Sequence, residues 1–255
     1  MPVPFRPILP CLVLLAVLVL AQALAGAAAA GPWPRAVKDL FLSYSCERDG
    51  RGSGYCGLYA EYGLRPNLML GVEIGRSSAG EANGMLWLQR PLDRGDGPNR
   101  LAAGLGVGAL RRDGRYLPQV QLALGLGRNF DSLPFLRAMP GGGWLSVEAR
   151  YRVAGAARDD LELAELAAQG AGLLRYLTPE SQAKGEITLG WHAAERLILV
   201  GQFRLEKRQD TGAGTALAIT VVRDLPGPLS IEMGLVEPLS GPGARAVKLG
   251  SWIAF

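Results

Sequence analysis

Histidine is nearly absent from this chain: His192 is the only one in 255 residues. Beyond residue 30 only two cysteines remain, Cys46 and Cys56. One imidazole and two thiols are too few donors for a usual zinc or transition-metal site, so no metal and no cofactor are expected. Excess charge of one sign is also missing. Lys+Arg number 27 against 23 Asp+Glu, a net of +4, and the basic residues are scattered rather than clustered. A nucleic-acid partner is therefore not expected. After residue 30 there is no apolar run near the ~20 residues that a membrane-spanning helix needs. Yet 49% of the chain is hydrophobic. Apolar residues abundant but never contiguous must be dispersed by alternation.

The first thirty residues have a different character. Arg6 is their only charge, Ile8 to Leu20 is apolar except for Pro10, and Ala21 to Ala30 is built of small residues. A basic start, an apolar middle and an Ala-x-Ala end make a cleavable export signal. Cleavage after Ala25 or after Ala30 fits, and Ala30 is preferred because Gly31 and Pro32 open a new composition. The expected organisation is a signal over 1–30 and one folded domain over 31–255. Loss of Arg6 lowers the net charge from +4 to +3. Export places Cys46 and Cys56 where a disulfide persists, across a Gly-rich loop that reads as a hairpin tip. Both share a strand face with apolar neighbours (Leu42 and Tyr44; Leu58, Ala60 and Tyr62), so a bridge would lie at the rim.

Two-residue alternation, the mark of a strand with unlike faces, recurs along the mature chain. Leu68, Leu70, Val72 and Ile74 oppose Met69, Gly71, Glu73 and Gly75. Val120 to Gly127, Leu145 to Arg152, Leu197 to Glu206 and Leu229 to Leu235 repeat the pattern. Twelve strands are expected, starting near Lys38, Tyr55, Leu68, Met85, Leu101, Gln119, Trp144, Glu186, Leu197, Thr215, Leu229 and Ala246. All seventeen prolines fall in the signal, in connections or at strand ends, as continuous hydrogen-bonded ladders require. Two segments depart from the rhythm: a long connection at 128–142, and 154–184. In the latter, Asp159 to Leu177 has leucines near helical spacing and reads as a short amphipathic helix. The competing reading is one more strand pair, which sets the range at about 10–14 strands.

The non-apolar face carries Glu61, Glu73, Glu148, Arg150, Arg152, Arg204, Glu206, Glu232 and Lys248, while the other is persistently Leu, Val and Ile. Lipid outside and a polar interior ask for that arrangement, and a closed barrel leaves no unpaired edge in hydrocarbon. The expectation is an all-β protein, an antiparallel transmembrane β-barrel with one short helical loop segment, in contact with outer-membrane lipid. If both termini are periplasmic, short turns at 64–67, 193–196 and 224–228 oppose longer loops at 47–54, 77–84, 154–184 and 206–213. The connection at 128–142 breaks that rule.

The chain ends Val247-Lys248-Leu249-Gly250-Ser251-Trp252-Ile253-Ala254-Phe255. This resembles bacterial outer-membrane β-barrel proteins, which commonly close on a strand with a terminal Phe and apolar residues at alternate positions. Val247, Leu249, Ile253 and Phe255 supply that pattern, and Ser251 departs from it. The resemblance implies an outer-membrane location in a Gram-negative bacterium and recognition of these residues by the barrel-assembly machinery. It covers the signal, the strand rhythm and the last nine residues, and identifies no subfamily.

Catalysis finds little support. Lipid-cleaving barrels place a serine two residues from a histidine near the outer rim, and no serine stands so in Trp191-His192-Ala193-Ala194-Glu195. The run Gly104-Leu105-Gly106-Val107-Gly108 lacks the spacing and following helix of a phosphate loop, and instead leaves room for large neighbours inside a barrel. Trp87, Trp144, Trp191, Trp252, Tyr44 and Tyr62 are candidates for the aromatic girdles at the two interfaces. The sequence thus points to a non-enzymatic barrel, a narrow diffusion channel for a small solute or a structural envelope protein. The alternatives are a barrel enzyme acting on lipid or lipopolysaccharide, and a soluble periplasmic β-sheet binding protein with its faces reversed.

Overall fold

The computed structural model describes residues 31–112, 114–157, 177–209 and 212–255. The signal over 1–30 and most of the helix expected over Asp159–Leu177 lie outside the described residues. Twelve antiparallel strands follow one another: β1 Leu40–Asp49, β2 Gly54–Arg65, β3 Leu68–Ser77, β4 Ala82–Pro91, β5 Asn99–Arg112 and β6 Arg115–Asn129. They continue with β7 Gly143–Ala157, β8 Leu177–Ala194, β9 Leu197–Arg208, β10 Gly212–Asp224, β11 Leu229–Ser240 and β12 Ala246–Ala254. Each pairs with its sequence neighbours, and β12 returns to pair with β1, so the sheet closes on itself. The register at the seam runs from Phe41↔Ala254 to Asp49↔Ala246. Closure gives every strand two neighbours, which is what hydrocarbon demands of backbone N–H and C=O groups.

The faces divide as a lipid-embedded barrel requires. Outward Leu105 is 64% exposed and Met233 62%, whereas inward Glu61 is 1% and Arg152 4% exposed. A soluble sheet would bury the first kind and expose the second, so the soluble alternative fails on orientation. Around the belt Ile74, Leu86, Val107, Leu122, Leu124, Ile219 and Leu235 all face out.

Several expectations need correction. Strands β7 and β8 run on to Ala157 and from Leu177, so the connection expected at 154–184 narrows to 158–176. The loop asymmetry disappears as well. At the mouth away from the chain termini (the distal mouth) the connections are 50–53, 78–81, 113–114, 158–176, 209–211 and 241–245. At the proximal mouth, beside the termini, they are 66–67, 92–98, 130–142, 195–196 and 225–228. Apart from 158–176 the distal connections are short in sequence, and the longest proximal one carries a 3-10 turn at Phe130–Ser132.

Prolines also enter the strands, at Pro118, Pro179 and Pro238. Each stands where its strand is paired on one side only. The β6–β7 ladder stops at Gln119↔Ala154, the β8–β9 ladder starts at Gln182↔Arg208, and the β11–β12 ladder stops at Val236↔Ala246. A residue without an N–H is tolerated at such places.

Candidate functional site

The lumen is the only part of the described barrel where polar groups converge, and its two halves are built differently. In the distal half a vestibule of about 570 Å³ is lined by acids and bases from facing walls. Glu73 of β3 accepts from Arg152 at 2.8 Å and Arg150 at 3.4 Å, both reaching across from β7. Arg150 also holds Glu148 at 2.8 Å. From β9, Arg204 reaches Glu47 of β1 at 2.8 Å. Glu206 faces Lys184 at 3.6 Å and accepts from Gln182 at 2.5 Å. Lys248 meets Glu232 at 3.2 Å, and the Trp252 indole N–H donates to the same carboxylate at 3.0 Å.

Ion pairs also tie the distal mouth across its width. Glu81, in the β3–β4 turn, meets Arg112 of β5 at 2.6 Å and Arg208 of β9 at 3.4 Å. Arg112 meets Glu180 of β8 at 2.8 Å. Burial alone would raise the Glu81 carboxyl, but the hydrogen bonds and charges of Arg208 and Arg112 hold it below the usual carboxylate range.

The proximal half is apolar. Trp144, Ile198, Val200 and Val222 form a buried cluster, with Trp33 and Trp252 packed against it. Phe41 meets the Trp252 ring edge-on at 5.8 Å, and His192 lies against Trp144 at 5.5 Å. Inward glycines make room for these rings. Any Cβ at Gly71 or Gly106 would run into Trp87, and one at Gly190 into Trp144.

Into this half runs a strap formed by residues 31–38, ahead of β1. Pro32 is among the most deeply buried residues of the barrel. Arg35 donates to Glu61 at 2.7 Å while its guanidinium stacks 4.6 Å over the Phe41 ring. Gln89 donates to the Gly31 carbonyl at 3.1 Å, and the Lys38 amide to the Gly63 carbonyl at 2.8 Å. Glycines again form the cradle: Gly63 faces the Ala36 carbonyl, Gly125 faces Pro32, and Gly127 faces Trp33. Trp33 therefore lies inside the proximal lumen, against Gly127 of β6 and the cluster around Trp144.

Of the nine charged residues expected inside, Glu73, Glu148, Arg150, Arg152, Arg204, Glu206 and Lys248 line the vestibule, and Glu61 and Glu232 are buried. Eight of them serve the vestibule or its floor, whereas Glu61 serves the strap. Cys46 and Cys56 are directly opposed in the β1–β2 register and bridged, on the outward face below the hairpin tip. Val247 and Leu249 face outward on β12, and Phe255 follows it, its backbone paired with Leu40. The girdle expectation fails for Trp87, Trp144 and Trp252, which turn inward. Tyr44 and Tyr62 are outward, and Trp191 reaches the Pro140 carbonyl at the proximal rim. Sequence reasoning missed Trp33 and Arg35 and the mouth residues Glu81, Arg112, Glu180 and Arg208.

No protein family matches the sequence, and no curated protein does. Solved structures are similar in fold. An outer membrane channel from Pseudomonas putida F1 superposes with a TM-score of 0.57 at 12% identity, over 90% of this chain and 100% of that one. The NanC porin gives 0.54 at 10% identity, over 84% and 98%. The KdgM porin gives 0.52 at 10% identity, over 84% and 99%. At such identities the likeness is one of architecture, a closed barrel of the bacterial outer-membrane kind.

Proposed function

We propose that this protein is a narrow diffusion channel of the outer membrane of a Gram-negative bacterium, exported by residues 1–30 and passing small polar solutes. The observation that carries the reading is the vestibule, a cavity of about 570 Å³ lined by charged side chains inside a barrel whose exterior suits lipid. A wall lined by both Glu47, Glu73 and Glu206 and Arg150, Arg204 and Lys184 presents both signs to a solute. It therefore favours dipolar or zwitterionic molecules over simple ions of one charge. Structures of the same architecture that carry the names channel and porin support the reading. Val247, Leu249, Ile253 and Phe255 serve as the signal for the barrel-assembly machinery.

No enzymatic step is assigned. His192 packs against Trp144 near the proximal mouth, away from the distal rim where a lipid-cleaving site would stand. The second reading, a structural envelope protein with a closed lumen, is favoured by one observation, the filled proximal half. Reconstitution in planar bilayers separates the two. Discrete conductance steps from a heat-modifiable barrel support the channel. A folded, heat-modifiable protein without steps, even after the strap is displaced, would leave the structural reading.

A further inference from the structure

The strap ends in a place where a chain terminus has a partner waiting. Gly31 is buried in the lumen. A Cβ there would lie 3.1 Å from Glu148 Oε1 and 3.6 Å from Ser146 Cβ. Glu148 gives its other oxygen, Oε2, to Arg150 at 2.8 Å and turns Oε1 toward Gly31. The backbone nitrogen of Gly31 is one bond from the same Cα. Its carbonyl is already held by Gln89, so the residue is fixed from its other side.

We infer that export processing makes the constriction: cleavage after Ala30 frees the α-ammonium of Gly31, the Glu148 carboxylate receives it inside the lumen, and residues 31–38 narrow the proximal half. The inference rests on reading residues 1–30 as an export signal. The cleavage is a hydrolysis by a signal peptidase. Water breaks the Ala30–Gly31 peptide bond, its oxygen ending in the Ala30 carboxylate and both of its protons on the new Gly31 ammonium. An ammonium taken into a barrel loses hydration and needs an opposite charge at contact distance. Glu148 is that charge. Cleavage after Ala25 would instead leave residues 26–30 ahead of Gly31, to be accommodated past Glu148. The site therefore selects between two cleavage positions that the sequence leaves open.

The rest of the strap explains why the terminus stays. Arg35–Glu61 anchors the opposite end beside the seam, and Trp33 fills the middle. The segment between is short and begins and ends on charge pairs. It behaves as an intramolecular ligand at very high effective concentration.

The test uses the full-length protein purified from membranes. Its intact mass should correspond to a chain beginning at Gly31. In the folded protein the N-terminal amine should react with an amine-directed acylating reagent at neutral pH more slowly than in the unfolded protein, by at least about tenfold. Glu148→Gln should restore most of that reactivity while heat modifiability shows the barrel intact. Trp33→Gly should raise single-channel conductance severalfold over the unsubstituted protein. A mature chain starting elsewhere, or an N-terminus as reactive folded as unfolded, would overturn the inference and leave the channel reading standing. Protection of the amine together with silence of both proteins in bilayers would keep the inference and remove the channel.

Discussion

The same twelve strands build two unlike halves of one lumen. Above, arginines and carboxylates span the vestibule in pairs such as Arg152–Glu73 and Arg204–Glu47. Below, Trp33, Trp144, Trp252 and aliphatic side chains pack together, with Arg35–Glu61 as a charge pair among them. The halves obey different physics. Charge pairs next to water are weakened by salt, which shrinks the Debye length from ~10 Å at 0.1 M to ~3 Å at 1 M. Packed rings have no such sensitivity and depend on volume. One half is adjustable by solution conditions, and the other is narrowed by shape.

The comparison yields three tests, and the largest effect is expected in the lower half. Trp144→Ala should lower the unfolding free energy by about 3–5 kcal/mol, measured by urea titration of the folded barrel in lipid, with little change between low and high salt. Glu73→Gln in the upper half should lose less, and its loss should shrink in high salt. Equal salt responses at the two sites would dissolve the distinction.

The next effect is that of the Cys46–Cys56 bridge. Cys46→Ser combined with Cys56→Ser should lower stability by no more than about 2 kcal/mol, because the β1–β2 register already holds the hairpin. Tryptophan emission should stay unchanged, since Trp33, Trp144 and Trp252 report on the other half. A shift in emission would show that the halves are mechanically coupled.

The smallest effect concerns Glu81. Its carboxyl is held below the usual range, so the ties to Arg112 and Arg208 are complete above the ordinary carboxylate value. They are lost as pH falls through the lowered one. Half-exposed pairs of this kind contribute about 1 kcal/mol or less. In the Trp33→Gly background, conductance should therefore step up modestly in acid, and Glu81→Gln should abolish the step. A step that survives Glu81→Gln would assign the mouth to other groups.

Much of the upper half was legible in the sequence, because strand parity alone sets which side chains face inward. Glu148, Arg150 and Arg152 alternate with Val147, Ala149 and Tyr151, and a period of two needs no distant information. The same parity places Trp144 with Ser146, Trp87 with Gln89 and Trp252 with Lys248. The inward tryptophans were thus within reach, and reading them as girdle residues gave composition precedence over pattern. The strap was not within reach. Residues 31–38 show neither period, and their positions depend on Glu61, Gln89 and Gly127, which lie far along the chain. The mouth network was hidden for a related reason: Glu81 and Arg208 are brought together only when the sheet closes.

That closure has a consequence for how the molecule comes into being. Eleven of the twelve strand pairings join sequence neighbours, whereas β1 and β12 meet from opposite ends of the chain. Local hairpins form early and at little entropic expense; a contact of the longest possible separation forms last. Arg35 and Trp33 immediately precede β1, one of the two strands that must still find each other. An open, curved sheet at that stage offers the strap a side entrance that the finished cylinder lacks. Leu40 and Phe255 exchange backbone hydrogen bonds at that seam, directly after the strap, so the residues that complete the wall adjoin the segment it encloses.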